Sequence, residues 1–323
     1  MIEITESDIK QWSRLGSRAT FGQAILLLAK YRNDLMVLSA DLGKSSGLDR
    51  FINSYPEKFL NIGIAEQNMI GVAAGLAKEG YVVFVSSFAP FISMRASEQI
   101  RMNMGYMSLN VKAVAIGSGV SMAFLGNSHF GLEDAAIMRS IPNMTVVTPA
   151  DCAEIVKTVS AAAEYEGPMY IRLTGVMNNP IVYRSDYEFS IGKAIKLLTG
   201  TDITIFANGT MVYESLEAAK ILESKGISAS VVNMHTIKPI DNQAIDQAMT
   251  TSKIIVSVEE HSVVGGLGSA IAEYKTRFRN TPAHLIIGLP DEFLKTGEYK
   301  YLLEKYGLVA EKIAQKIIEN YES

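Results

Sequence analysis

Glu66 stands just after a short apolar run at 60–64 and opens a segment rich in small residues, GVAAGLA at 71–77. A carboxylate in the first turn of a helix is ordinarily stabilised by the helix dipole, so Glu66 reads first as a helix-start residue. Its company suggests more. Gly63, Ala65, Gly71, Ala73, Ala74 and Gly75 let neighbouring backbone approach closely, beyond what a surface helix requires. Phe88 and Phe91 follow the next apolar run. An aromatic pair there is usually core; the alternative is a platform for a flat ring, on which offset stacking is favourable. Arg18, Ser45, His129 and Arg172 lie in loops or at the ends of strand-like runs. Singly, such residues are surface groups or satisfied structural ones. Two arginines converging on one mouth would clamp a phosphate, because a guanidinium binds it through two parallel hydrogen bonds.

Other chemistries lack their residues. The sequence has no HExxH, no paired CxxC and no His/Cys cluster, which argues against a zinc site. It has neither a G-x-x-x-x-G-K-[ST] loop nor a G-x-S-x-G turn. Gly265-Gly266-Leu267-Gly268 precedes a helix-like segment, but Ile271 stands where a dinucleotide loop has its third glycine. A tight turn opening a helix is the plainer reading.

Parallel strands with intervening helices must position these residues. The first half predicts strands at 35–40, 60–64, 82–85, 111–116, 145–147 and 169–173. Helices are predicted at 21–31, 66–78, 91–104, 133–139 and 152–164. Strands separated by helix-length segments imply βαβ units, and their solid apolar runs fit strands buried on both faces. Residues 176–192 break the rhythm with Asn, Pro, Tyr and charge, as an interdomain connection would. Strands are predicted again at 203–207, 229–233, 254–258 and 284–287, with helices at 211–225, 241–249, 267–278 and 309–321. The expected fold is α/β, two doubly wound, mostly parallel-sheet domains at 1–190 and 191–323. Ligands in such sheets sit beyond the carboxyl ends of the strands, which directs attention to loops 41–47, 63–67, 86–91, 117–129 and 172–175.

Composition agrees. The 323 residues are 48% hydrophobic and 20% charged, with a net charge of −4, which argues against a nucleic-acid binder. Cys152 is the only cysteine, so no internal disulfide is possible and a reducing compartment is expected. The polar N-terminal stretch has no signal-peptide core, and no apolar run approaches the roughly 20 residues that span a bilayer. A cytoplasmic protein without a membrane partner is expected.

Taken in order, eight segments resemble the C-terminal half of a transketolase: RATFGQA (18–24), ADLGKSS (40–46), NIGIAEQN (61–68), SSFAPF (86–91), SHFGLEDAAIMRSIPNMTVVTPAD (128–151), GKA (192–194), NMHTIKPID (233–241) and EEHSVVGGLGSA (259–270). The resemblance implies a domain that grips the aminopyrimidine of thiamine diphosphate, followed by a smaller α/β domain. It places the family's acid on Glu66, which would hydrogen-bond a ring nitrogen and favour the imino form that takes a proton from the thiazolium carbon. Phe88 and Phe91 match aromatics packed on the pyrimidine, and Asp41 matches an acid near the cofactor. Arg18, Ser45 and Arg172 match the substrate phosphate site. His129 matches a histidine beside the reacting sugar, placed to move a proton or orient a hydroxyl.

The match has departures. Gly117, Leu125 and Met94 stand where transketolases commonly carry a histidine, an acid and a third aromatic. No Gly-Asp-Gly motif, which holds the metal and diphosphate in the family, occurs in the sequence. The resemblance therefore implies one subunit of a split transketolase, or a separately made fragment. A diphosphate-binding N-terminal subunit would hold the magnesium or calcium ion and share the cofactor, in an assembly of at least two copies of each. The implied reaction moves a two-carbon ketol unit from a ketose phosphate to an aldose phosphate. A 2-oxo-acid dehydrogenase beta subunit shares length and domain order but usually carries His-Ser-Gln-Ser where this chain has Ser128-His129-Phe130-Gly131. A deoxyxylulose phosphate synthase-like protein and a non-enzymatic scaffold that kept only the fold are the remaining alternatives.

Overall fold

The computed structural model describes residues 4–321; the outermost ends of the two expected domains, 1–3 and 322–323, lie outside the described residues. The first half forms helices α1 (Glu6–Leu15), α2 (Ser17–Leu28), α3 (Asp49–Ser54) and α4 (Glu66–Lys78). Its strands are β1 (Leu35–Ser39), β2 (Phe59–Asn61), β3 (Val82–Phe88), β4 (Val111–Ile116), β5 (Thr145–Val147) and β6 (Met169–Arg172). The second half adds β7 (Ile195–Leu198), β8 (Ile203–Ala207), β9 (Ala229–Asn233), β10 (Thr236–Lys238), β11 (Ile254–Ser262) and β12 (Ala283–Leu289). Two sheets result, ordered β10-β5-β6-β4-β3-β1-β2 and β12-β11-β8-β9-β7.

Each sheet is parallel except at one edge, where β10 and β7 run antiparallel to their neighbours. Strand alternation divides the first domain's interior into two layers. Leu35, Val37 and Phe84 pack with Phe21, Phe51 and Ile155 on one face; Leu38, Val83 and Val85 pack with Met69 and Ile70 of α4 on the other. Burial on both faces explains why these strands are continuous apolar runs. Helix α1 begins at a capping box in which Asp8 N–H donates to Thr5 Oγ1 at 3.2 Å and the Asp8 carboxylate accepts from Thr5 N–H. The helix Cys152–Glu164 starts on the Asp151 carboxylate. Among the described residues no helix is long and apolar enough to cross a membrane.

Two expected elements differ from the structure, and one strand crosses between the domains. The strand expected at 60–64 ends at Asn61, because Gly63 turns the chain at φ +78° to begin α4. The helix expected at 91–104 is two π-helical stretches, Phe91–Arg95 and Ile100–Tyr106, flanking Ser97–Gln99. Strand β10 belongs to the second half of the chain and crosses to join the first sheet, with Thr236 opposite Val147. Order along the first sheet reverses between β1 and β3, since β1 leads outward to β2 and the chain returns past β1 to β3. Ligands in open α/β sheets sit at such a reversal.

Candidate active site

Glu66 lies at that reversal. Helix α4 starts on Ala65 without a side-chain cap, which puts the Glu66 carboxylate in the first turn. The residue is only 1% exposed. Its Oε1 accepts from the Ser87 hydroxyl at 3.2 Å and its Oε2 from Arg95 Nη1 at 2.8 Å. Ser87 belongs to β3 and Arg95 to the first π-helical stretch, so three successive elements converge on one carboxylate. A buried charge requires a partner. Arg95 supplies it, while its guanidinium also lies 4.3 Å from the centre of the Phe91 ring.

The aromatic pair continues the cluster. Phe88 and Phe91 meet edge to face at 5.8 Å, and the His129 ring stands edge-on to both, at 5.5 and 5.1 Å. His129 Nδ1 is 2.9 Å from Ser128 Oγ. The structure thus brings Glu66, Phe88, Phe91 and His129 into one contiguous group. Asp41 follows β1 in a left-handed conformation, φ +58°. Its backbone N–H donates to Asn61 Oδ1, and its carboxylate accepts from Asn61 Nδ2, both at 3.1 Å. The same Asn61 oxygen accepts from Gly63 N–H, which ties Asp41 to the turn leading into Glu66.

A second cluster forms an open cleft of about 300 Å³, lined by Gly16, Ser17, Arg18, Lys44, Ser45 and Met177 among others. Arg18 Nη1 donates to the Ser45 carbonyl at 3.5 Å. The cleft opens at the start of α2, where Gly16 provides no side-chain cap. Two exposed cations beside a helix N-terminus suit an anion.

Arg172 is not part of that cleft, contrary to the sequence reading. It is 1% exposed. Its Nε donates to both Asp134 oxygens, at 3.0 and 2.9 Å, and its Nη2 donates to the carbonyls of Gly131 (2.8 Å) and Glu260 (2.7 Å). Burial pulls its pKa down, but the charge and hydrogen bonds of Asp134 outweigh that and leave it raised. A guanidinium so enclosed joins the two domains and is closed to a substrate.

Residues 14–176 match the transketolase pyrimidine binding domain, and residues 192–313 match the transketolase C-terminal domain. The chain belongs to the transketolase family. Within this family it is similar to a 6-deoxy-6-sulfo-D-fructose transketolase subunit of a Clostridium species, 40% identical over 92% of each chain. It is also similar to an apulose-4-phosphate transketolase subunit of Phocaeicola vulgatus, 38% identical over 94% of this chain and 97% of that one. Among solved structures, a split gene transketolase in the form of an inactive beta4 tetramer matches with a TM-score of 0.84 and 42% identity, over 94% of this chain and 98% of that one.

Family membership implies dependence on thiamine diphosphate, and the residues present fit its pyrimidine end. A carboxylate removed from water, with a hydroxyl and a cation on its oxygens, stands beside two aromatic rings. The backbone around it is open, since a Cβ added at Gly63 or Gly71 would meet nothing within 4 Å. Sequence reasoning missed Arg95 and Lys44. Arg95 lies 29 residues from its partner in an irregular helix, and Lys44 is a lone lysine in a turn; neither leaves a local signal.

Proposed function

We propose that the chain is the C-terminal subunit of a split, thiamine-diphosphate-dependent transketolase. It transfers a two-carbon ketol unit from a ketose phosphate to an aldose phosphate, together with a diphosphate-binding subunit in an α2β2 assembly. The observation that carries this reading is the Glu66 carboxylate, buried between Ser87 and Arg95 beside the Phe88–Phe91–His129 group. Bound there, thiamine diphosphate would supply the carbon that carries the two-carbon unit between sugars. Glu66 orients the aminopyrimidine by a hydrogen bond to a ring nitrogen. Phe88 and Phe91 pack on that ring, and Asp41 borders it. His129 holds or moves a proton at a substrate hydroxyl through the ring nitrogen not facing Ser128.

Arg18, Lys44 and Ser45 hold the distal anion of the sugar. Two cations and the start of α2 favour a phosphate, with its charge near −2, over a singly charged group. Arg172 takes no part in this binding. The metal ion, magnesium or calcium, belongs to the partner subunit. The test mixes the chain with that subunit, thiamine diphosphate and magnesium, and follows ketol transfer from a panel of phosphorylated and sulfonated ketose donors. Transfer from phosphorylated donors supports the reading; no transfer from any donor overturns it.

A further inference from the structure

The C-terminal domain contributes no residue to the cofactor or substrate groups described above. Its own sheet nevertheless has a reversal of strand order, between β8 and β11, where an α/β domain would ordinarily receive a ligand. That crevice holds a loop of the first domain. Glu260, near the end of β11, is 1% exposed. Its Oε1 accepts from Val120 N–H at 2.8 Å, and its Oε2 from the hydroxyls of Thr210 (2.8 Å) and Tyr299 (2.7 Å).

Val120 sits at the neck of the loop that carries His129. The two legs of the neck pair through Gly119 N–H to Gly131 O (2.9 Å) and Gly131 N–H to Gly119 O (3.0 Å). Glu260 reaches both legs. Its carboxylate takes Val120, while Arg172 Nη2 spans the carbonyls of Gly131 and Glu260. The fit is close, since a Cβ at Gly119 would lie 2.1 Å from Glu260 Oε1. The C-terminal domain also holds the loop near its tip, where Asn127 Nδ2 donates to Leu294 O (2.7 Å) and Asn127 Oδ1 accepts from Leu294 N–H (2.9 Å).

We infer that Glu260 is a positioning residue that fixes the neck of loop 119–131 and thereby presents His129 to Phe88 and Phe91. The inference depends on the proposed function only for the part His129 plays in turnover; the placement of the ring is measurable without activity. Gln at 260 can keep the neck bond, with its oxygen on Val120 N–H and its amide on the Thr210 and Tyr299 oxygens. Met at 260 cannot.

The test follows amide hydrogen exchange and the His129 ring resonances in the purified chain, for Glu260→Gln, Glu260→Met and Asn127→Ala. Glu260→Gln should keep exchange at Gly119, Val120 and Gly131 within about threefold of wild type, whereas Glu260→Met should speed it by about tenfold or more. The His129 resonances should shift or broaden in the Met variant alone of these two. Core amides of Phe84 and Val256 should keep their protection in both. Asn127→Ala removes an exposed side chain and leaves the core alone, so it tests separately that the C-terminal domain holds the loop near its tip; it too should move the His129 resonances. A Gln variant as loose as Met, exchange that rises equally in the core strands, or His129 resonances unchanged in both Met and Ala variants would overturn the inference.

Discussion

Removing either cation of the cleft, as Arg18→Ala or Lys44→Ala, should weaken binding of a phosphorylated donor. A charge-assisted hydrogen bond contributes about 1.5–3 kcal/mol, so the KM should rise roughly ten- to hundredfold, less as salt increases. Steady-state kinetics on the two-subunit enzyme check this, and an unchanged KM for both variants removes the cleft from substrate binding. Arg172→Met should behave differently. It leaves Asp134 buried with only Tyr170 Oη at 2.9 Å as a strong partner. Stripping one member from a buried ion pair costs about 3–5 kcal/mol, so the expected signature is a lowered unfolding midpoint in denaturant. Arg18 and Arg172 have similar chemical claims on a phosphate when only the sequence is read. What separates them is Asp134, an acid 38 positions before Arg172, and no local pattern announces that pairing. Glu66 by itself reads as a helix-start residue, and only the ordered set of matching segments along the chain singles it out. Its cation was not legible, because Arg95 reaches it across a π-helical stretch that a 3.6-residue period does not describe.

The elements themselves were legible wherever burial on both faces forces a continuous apolar run. Strands β4, β5, β8 and β9 and helix α4 have the bounds that the residue pattern predicts. Helix α1, the short helix α3, the edge strands β7 and β10, and the helix Tyr299–Lys305 had no such signal, since each is short or packs on one face only. The connection between domains was read as a break and is held by a buried acid pair. The Asp151 carboxylate accepts from the N–H groups of Val182 (2.8 Å) and Tyr183 (2.9 Å), and Glu154 accepts from Ala150 N–H and Asn233 Nδ2. Burial raises Asp151 from 3.8 to about 6 and Glu154 from 4.5 to about 7, against the opposing pull of these hydrogen bonds. Each acid therefore binds its proton more tightly folded than unfolded. Its contribution to stability is complete below about pH 4 and is lost as pH rises through about 6 to 7. Glu154→Gln removes one of the two contributions to that loss. Between pH 4.5 and 8 the variant should gain about 3 kcal/mol relative to wild type. Denaturant melts at several pH values measure it, and parallel curves for the two proteins would contradict it.

At the scale of the molecule, the Glu66 face is open. Ile64 and Tyr106 are 77% and 78% exposed, and a Cβ at Gly71 or Gly75 would meet nothing within 4 Å. An uncovered apolar face with bare helix backbone suits a close-packed interface, which agrees with the proposed partner subunit. Gly71→Arg should therefore leave the isolated chain folded and block its assembly with that subunit, as read by sedimentation. Assembly at wild-type affinity would exclude α4 from the interface. The C-terminal domain holds the loop that carries His129, from Glu260 at its neck and Leu294 near its tip. The most direct measurement compares ketol transfer by the two-subunit enzyme carrying native Glu66 with transfer by Glu66→Gln. Glutamine keeps the shape but cannot exchange a proton with a ring nitrogen, so turnover should fall by about 10²–10⁴-fold with fold and assembly intact. Turnover within a few-fold of native would contradict the central role given to Glu66.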